Sequence, residues 1–136
     1  MSRILIIDDD QAMLNVLRRG LSRAGHETLE ATGGRDALRI FGEQSVDMVV
    51  TDIIMPDLEG VELIQTIRRT RPKLPIIAIS GGGRLKPGTY LNLAQASGAA
   101  KALQKPFELD QLLAAVNELL GKAPNSRLPA DSDPAE

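Results

Sequence analysis

Three consecutive carboxylates, Asp8, Asp9 and Asp10, follow the apolar run Ile4-Leu5-Ile6-Ile7. Single polar residues close three comparable runs: Asp52 after Met48-Val49-Val50-Thr51, Ser80 after Ile76-Ile77-Ala78-Ile79, and Lys105 after Ala102-Leu103-Gln104. If these runs are parallel strands, all of these side chains crowd onto one rim. Carboxylates so placed repel one another, which costs stability or raises a pKa, and a divalent cation removes the penalty. Hard oxygen ligands suit Mg2+ better than zinc. Mg2+ in turn attracts a phosphoryl group and neutralises its charge during transfer. Lys105 offers a point charge for phosphate oxygens, and Ser80 a hydroxyl donor. Asp52 has the chemistry of a nucleophile, because carboxylates form acyl-phosphate intermediates. The plainer role of an Asp after a strand is to cap a helix or form a turn. That role suits Asp10, which stands just before a helical pattern, and it would suit Asp8 taken alone. Asp8, Asp9, Asp52, Ser80 and Lys105, each at a strand end, together point to a site.

The elements that must position these residues are legible in the hydrophobic pattern. Four runs rich in β-branched residues read as strands: 4–7, 48–51, 76–79 and the less regular 27–31; a fifth, 102–104, is weaker. Three of the five lack polar alternation, which predicts strands covered on both faces. Between them lie helical patterns. Met13, Leu17, Leu21 and Ala24 form one stripe, which Gly25 can stop. Ala37, Leu38 and Phe41 mark a second helix. Val61, Ile64 and Ile67 mark a third, closed by Pro72. Leu91 and Ala94 suggest a short fourth, and Leu109, Leu112, Val116 and Leu119 the last, ending at Gly121. Strand and helix alternating five times predict a doubly wound α/β fold, a mostly parallel five-stranded sheet with helices on both faces. In such sheets ligands gather outside the carboxyl ends of the strands.

Composition excludes more than it assigns. The chain has 136 residues, enough for one domain with a core. Its net charge of −2 gives no reason to expect direct binding to nucleic acid or membrane. There is no cysteine, so no disulfide, thiolate nucleophile or cysteine-ligated zinc is possible. No apolar run approaches the length of a bilayer span, and the N-terminal residues lack signal-peptide organisation, so a cytoplasmic protein is the simplest reading. Residues 122–136 hold three prolines and one large aliphatic residue, a composition expected to stay disordered. The expected boundary is therefore a domain over 1–121 and a tail over 122–136.

In order along the chain, Ile-Leu-Ile-Ile-Asp8-Asp9-Asp10, Thr-Asp52-Ile-Ile-Met-Pro-Asp-Leu-Glu-Gly60, Ile-Ala-Ile-Ser80-Gly81 and Lys105-Pro106-Phe107 resemble the receiver domain of two-component response regulators. The resemblance runs from about residue 3 to 121. It implies a flavodoxin-like (βα)5 fold with strand order 2-1-3-4-5. It implies that Asp52 is the phosphoacceptor. Asp9 would bind Mg2+ directly, Asp8 mainly through ordered water, and the backbone carbonyl of Ile54 would complete the protein ligands, with Asp52 itself at the metal. Ser80 would hydrogen-bond a phosphoryl oxygen, and Lys105 would pair with the acyl phosphate. Gly81 would keep the space beside Ser80 small, and the bond before Pro106 would be cis, the isomer that only X-Pro bonds populate cheaply. Met55 and Pro56 would shape the loop after the acceptor, and Gly60 would supply an unusual φ or close packing. The donor would be a phosphohistidine of a sensor histidine kinase or phosphotransfer protein, and the receiver of the signal an unknown output protein.

The sequence departs from that pattern in two places. Where the family often has an aromatic that swings inward on activation, this chain has Ala102. Residues 81–88, Gly-Gly-Gly-Arg-Leu-Lys-Pro-Gly, make a longer loop than usual, read as a lid over Asp52, with Tyr90 just beyond it as core, partner contact or substitute switch. An order–disorder change over 81–90 is the expected route of signalling. His26 reads as a surface residue. Arg18, Arg19 and Arg23, and Arg68, Arg69 and Arg71, read as solvated helix faces. Leu14 and Val16 read as half-buried flanks of the first stripe, on a face that meets a kinase or phosphotransfer helix bundle in the family.

Three functions compete. The first is a phosphoacceptor switch that is not an enzyme toward other substrates. It would act alone through a partner, since fifteen residues after the domain are too few for an output module, or be the receiver of a longer regulator. The second is an aspartate phosphatase of the haloacid-dehalogenase type using Asp8 and Asp10, but Ala12 stands where that class has Thr or Val. The third is a flavodoxin-like FMN module, which the three carboxylates after the first strand oppose by repelling phosphate.

Overall fold

The computed structural model describes residues 2–53, 60–80 and 98–121. In chain order these form β1 (Arg3–Ile7), α1 (Gln11–Arg23), β2 (Glu27–Ala31), α2 (Gly34–Glu43), β3 (Met48–Asp52), α3 (Gly60–Thr70), β4 (Ile76–Ser80), β5 (Lys101–Gln104) and α4 (Leu109–Gly121). All strand pairs are parallel, and the order across the sheet is β2-β1-β3-β4-β5, as expected. The helix expected around Leu91 and Ala94, the loop at 81–88 with Tyr90, the Ile54-Met55-Pro56 turn and the tail at 122–136 lie outside the described residues.

The strand order explains the composition of each strand. β3 and β4 are buried throughout and β1 nearly so, because helices cover both faces of the sheet. The edge strands β2 and β5 are only partly buried and carry Glu27, Glu30, Lys101 and Gln104. Side chains alternate between faces with period two, so odd and even positions of one strand feed separate cores. Leu5, Ile7, Val49, Ile76 and Ala78 pack with Leu63, Ile64 and Ile67 of α3. Ile4, Ile6, Met48, Val50, Ile77 and Ile79 pack with Leu14, Leu17 and Leu21 of α1 and Leu112 and Val116 of α4.

Helix α1 corrects the expected stripe. Leu14, Leu17 and Leu21 are the wholly buried leucines, Met13 is half-buried, and Ala24 is an exposed C-cap. Leu14, expected half-buried, points squarely into the core, and Val16 is 49% exposed. The shift follows from the partner. Leu109, the first residue of α4, sits on Gly20, where a Cβ would lie 2.6 Å from Leu109 Cδ1, so the face of α1 that holds Gly20 packs closely against α4. Asp10 caps α1 as expected, its Oδ1 accepting from the Ala12 N–H at 3.0 Å. Gly25 closes the helix at φ +93°, a conformation that favours glycine.

Candidate functional site

The carboxyl ends of β1, β3, β4 and β5 converge, and with them the residues singled out from the sequence. Parallel pairing places Asp52 opposite Ile79 and Ser80 opposite Gln104, so the residues that follow each run share one rim. Asp8 follows β1 and is 1% exposed. Its Oδ1 accepts from the Asp10 N–H at 2.9 Å, and its Oδ2 accepts from Lys105 Nζ at 3.1 Å. The same ammonium lies 3.6 Å from Asp52 Oδ2. Asp52 is itself buried, whereas Asp9 is exposed at the mouth.

Lys105 therefore bridges two buried carboxylates that would otherwise repel. Burial pulls its pKa down, but the charge of Asp52, the hydrogen bond and charge of Asp8 and the charge of Asp10 together outweigh that and hold it above its ordinary value. The main chain of Lys105 is held to β4, since its N–H donates to the Ser80 carbonyl at 2.7 Å and extends the β4–β5 ladder by one residue. The Lys105–Pro106 bond is cis. Ser80 is wholly buried, and its hydroxyl has no hydrogen-bond partner among the described residues. Such an orphan costs about 1–3 kcal/mol unless a ligand or water satisfies it.

The residues present fit a hard divalent cation. One carboxylate oxygen each from Asp8, Asp9 and Asp52 lies within 4.8 Å of the others. Octahedral Mg2+ with oxygens at about 2.1 Å places adjacent ligands about 3 Å apart and opposite ones about 4.2 Å apart. Small side-chain adjustments bring this trio into that range, and the donor set is all oxygen. Asp10, by contrast, spends its carboxylate on the α1 cap, so the Asp8–Asp10 pair that a haloacid-dehalogenase-type enzyme needs is not assembled.

Several residues behave differently from expectation. His26 is half-buried, not a surface residue; its Nδ1 is buried without a partner among the described residues, and burial, with a smaller effect from the N-terminal charge, lowers its pKa. Arg68 is not simply solvated. Its guanidinium donates to the carbonyls of Pro72 and Gly98 at 2.7 Å each and of Arg71 at 3.2 Å, tying the end of α3 to the segment before β5, and partial burial lowers its pKa. Arg18 pairs with Glu30 at 2.7 Å, while Arg19, Arg23 and Arg69 are exposed as expected. Thr51 reads from the sequence only as a strand residue, yet its buried hydroxyl donates to the Asp52 carbonyl at 2.8 Å. The available signal is a lone hydroxyl in an otherwise apolar run, directly before Asp52.

A family model described as the response regulator receiver domain matches residues 4–117. The chain belongs to the response regulator receiver family. Among curated relatives of this receiver, the DNA-binding transcriptional regulator NtrC of Azospirillum brasilense is 38% identical over 135 residues, covering 98% of this chain and 27% of NtrC. The chain thus spans about a quarter of that relative's length. The solved receiver domain from Clostridium thermocellum superposes with a TM-score of 0.82 at 32% identity, covering 90% of this chain and 96% of its own. The response regulator TrrA from Thermotoga maritima, solved in complex with Mg2+-BeF, superposes with a TM-score of 0.78 at 29% identity, covering 88% of this chain and 99% of its own. Among the described residues no helix of this receiver is long and apolar enough to cross a membrane.

Proposed function

We propose that this receiver accepts a phosphoryl group on Asp52 from a phosphohistidine of a sensor histidine kinase or phosphotransfer protein, and that the acyl phosphate alters its binding to an output protein. The reading rests above all on Lys105, whose ammonium lies 3.1 Å from Asp8 and 3.6 Å from Asp52 on a rim that also carries a buried Ser80 hydroxyl without a partner among the described residues. A carboxylate oxygen of Asp52 attacks phosphorus, an O–P bond forms, the P–N bond breaks, and the departing imidazole takes a proton from solvent. Asp8, Asp9, Asp52 and the backbone carbonyl of Ile54 would hold Mg2+, and TrrA, which carries Mg2+-BeF, supports that choice of ion by similarity. The ion supplies neutralisation of the charge on the transferring group. Lys105 pairs with a phosphoryl oxygen once Asp52 is esterified, and Ser80 donates its hydroxyl to another. The chain acts as a phosphoacceptor switch in the cytoplasm, not as an enzyme on other substrates, with residues 1–121 as the receiver and 122–136 outside it.

The lengths of the relatives favour a second reading of context, in which the receiver is one part of a longer regulator. The phosphoacceptor chemistry is the same in both. The test is incubation with Mg2+ and acetyl phosphate followed by intact mass. A hydroxylamine-sensitive gain of about 80 Da is expected for the wild type and none at that site for Asp52→Asn. Stoichiometric single-site phosphate on Asp52→Asn would overturn the assignment.

A further inference from the structure

We propose that Thr51 is a positioning residue for the phosphoacceptor, acting through the main chain of Asp52; the inference rests on Asp52 being that acceptor. Thr51 is wholly buried in β3, beside Ile7 of β1 and Ala78 of β4 in register. A hydroxyl buried among aliphatic side chains needs a partner, and this one donates to the Asp52 carbonyl at 2.8 Å. The N–H of the same peptide group, that of Ile53, donates to the Ile79 carbonyl at 3.0 Å. The Asp52–Ile53 peptide is therefore held at both edges, its oxygen by a side chain of β3 and its N–H by β4.

A peptide group is a rigid plane, so fixing both edges fixes two torsions at once. One is ψ of Asp52, which ties the Cα that carries the carboxylate to the tethered plane. The other is φ of Ile53, which sets the direction in which the chain leaves the strand. Ile53 is 1% exposed and packs in the core on the α3 side of the sheet, which restrains the plane further. Without the Thr51 hydroxyl the N–H tether and this packing remain, but the plane gains freedom to rock about the Ile79 bond. Metal sites are sensitive to such outer partners, whose loss commonly costs 10–100-fold in affinity or activity.

The position also supplies its own control. Valine has nearly the shape of threonine and suits a buried strand at least as well, and Val49 and Val50 already occupy the preceding positions. A hydroxyl that served only the fold would, when replaced by valine, show its effect in stability. A positioning hydroxyl shows it in the site.

The test compares wild type, Thr51→Val and Thr51→Ser as the full chain, measuring Mg2+ affinity by titration calorimetry, the rate of acyl-phosphate formation from acetyl phosphate by intact mass, and urea unfolding without metal. The expected result is that Thr51→Val unfolds at or above the wild-type urea midpoint, yet binds Mg2+ or gains phosphate roughly tenfold less well. Thr51→Ser, which keeps the donor, recovers most of that loss while being the less stable of the two. Thr51→Val with wild-type Mg2+ affinity and phosphorylation rate would overturn the inference. So would a Thr51→Val protein that has lost its fold, because the hydroxyl would then serve stability. A wild type that gains no phosphate on Asp52 would instead sink the phosphoacceptor reading itself.

Discussion

Replacing Lys105 by methionine should separate the two cations that this site can use. The ammonium lies 3.1 Å from Asp8 and 3.6 Å from Asp52. At an effective dielectric of about 20 each pair is worth about 5 kcal/mol of gross attraction. Desolvation of the groups offsets most of that sum, and the lysine side chain keeps 22% of its exposure, which weakens it further. Removing one partner of a well-buried ion pair typically costs about 3–5 kcal/mol; discounted for this exposure, a loss of about 2–4 kcal/mol is expected in metal-free buffer at neutral pH. The loss should shrink in saturating Mg2+, because a divalent ion compensates Asp8 and Asp52 in place of the ammonium. For the same reason Lys105→Met should bind Mg2+ more tightly than the wild type. The sign with pH is clear. A lysine whose folded pKa is raised contributes fully below its ordinary pKa of 10.5 and loses the contribution only as pH rises through the higher folded value, so the effect is constant across the neutral range. Urea unfolding of both proteins with and without Mg2+ reads all of this. A metal-free loss under about 1 kcal/mol, which is the worth of an exposed pair, or an equal loss with and without Mg2+, would refute the reasoning.

Two further outcomes follow from the same geometry. Millimolar Mg2+ should raise the melting temperature of the wild type by mass action, by an amount equivalent to about 2.7 kcal/mol at a hundredfold excess over the dissociation constant, and Asp9→Ala should remove most of the shift; an unchanged melt with saturating Mg2+ would argue against the metal site. His26 has a folded pKa below its ordinary 6.5, so the unfolded chain binds the extra proton first and stability should fall as pH drops through and just below 6.5, an effect absent above it. His26→Gln should flatten that part of the profile, and a wild-type-minus-variant difference that stays constant from about pH 5 to pH 8 would count against it.

The sequence by itself determined the architecture and most of the rim. Unbroken aliphatic runs such as Ile76-Ile77-Ala78-Ile79 have no polar face to turn toward water, so they demand cover on both sides, and β4 is buried at every position. Alternation of such runs with helical stripes leaves few parallel arrangements, and the rim then follows from chain direction alone. Asp8, Asp9, Asp52, Ser80 and Lys105 were legible because each stands at the end of a run, where sequence neighbours position the residue. Asp10 was legible as a cap for the same local reason.

Only the tertiary structure decided which side chains pair. The bond from Lys105 to Asp8 spans 97 positions of sequence, and nothing local to either residue shows that the ammonium reaches Asp8 more closely than Asp52. The buried face of α1 runs through Leu14 and Gly20, which meets Leu109, a contact between distant segments that the local stripe does not show. Arg68 looked like one of a cluster of surface cations until the chain before β5 brought the Gly98 carbonyl to it. His26 reads as exposed from its sequence neighbours, yet the folded chain half-buries it. Thr51 is the subtlest case, since its partner is the next residue, yet the bond matters because β4 holds the other edge of the same peptide. Hydrophobic periodicity is a property of neighbours along the chain and survives in sequence; hydrogen bonds and ion pairs between strands and helices depend on angstrom-scale packing of segments far apart, which no local pattern encodes.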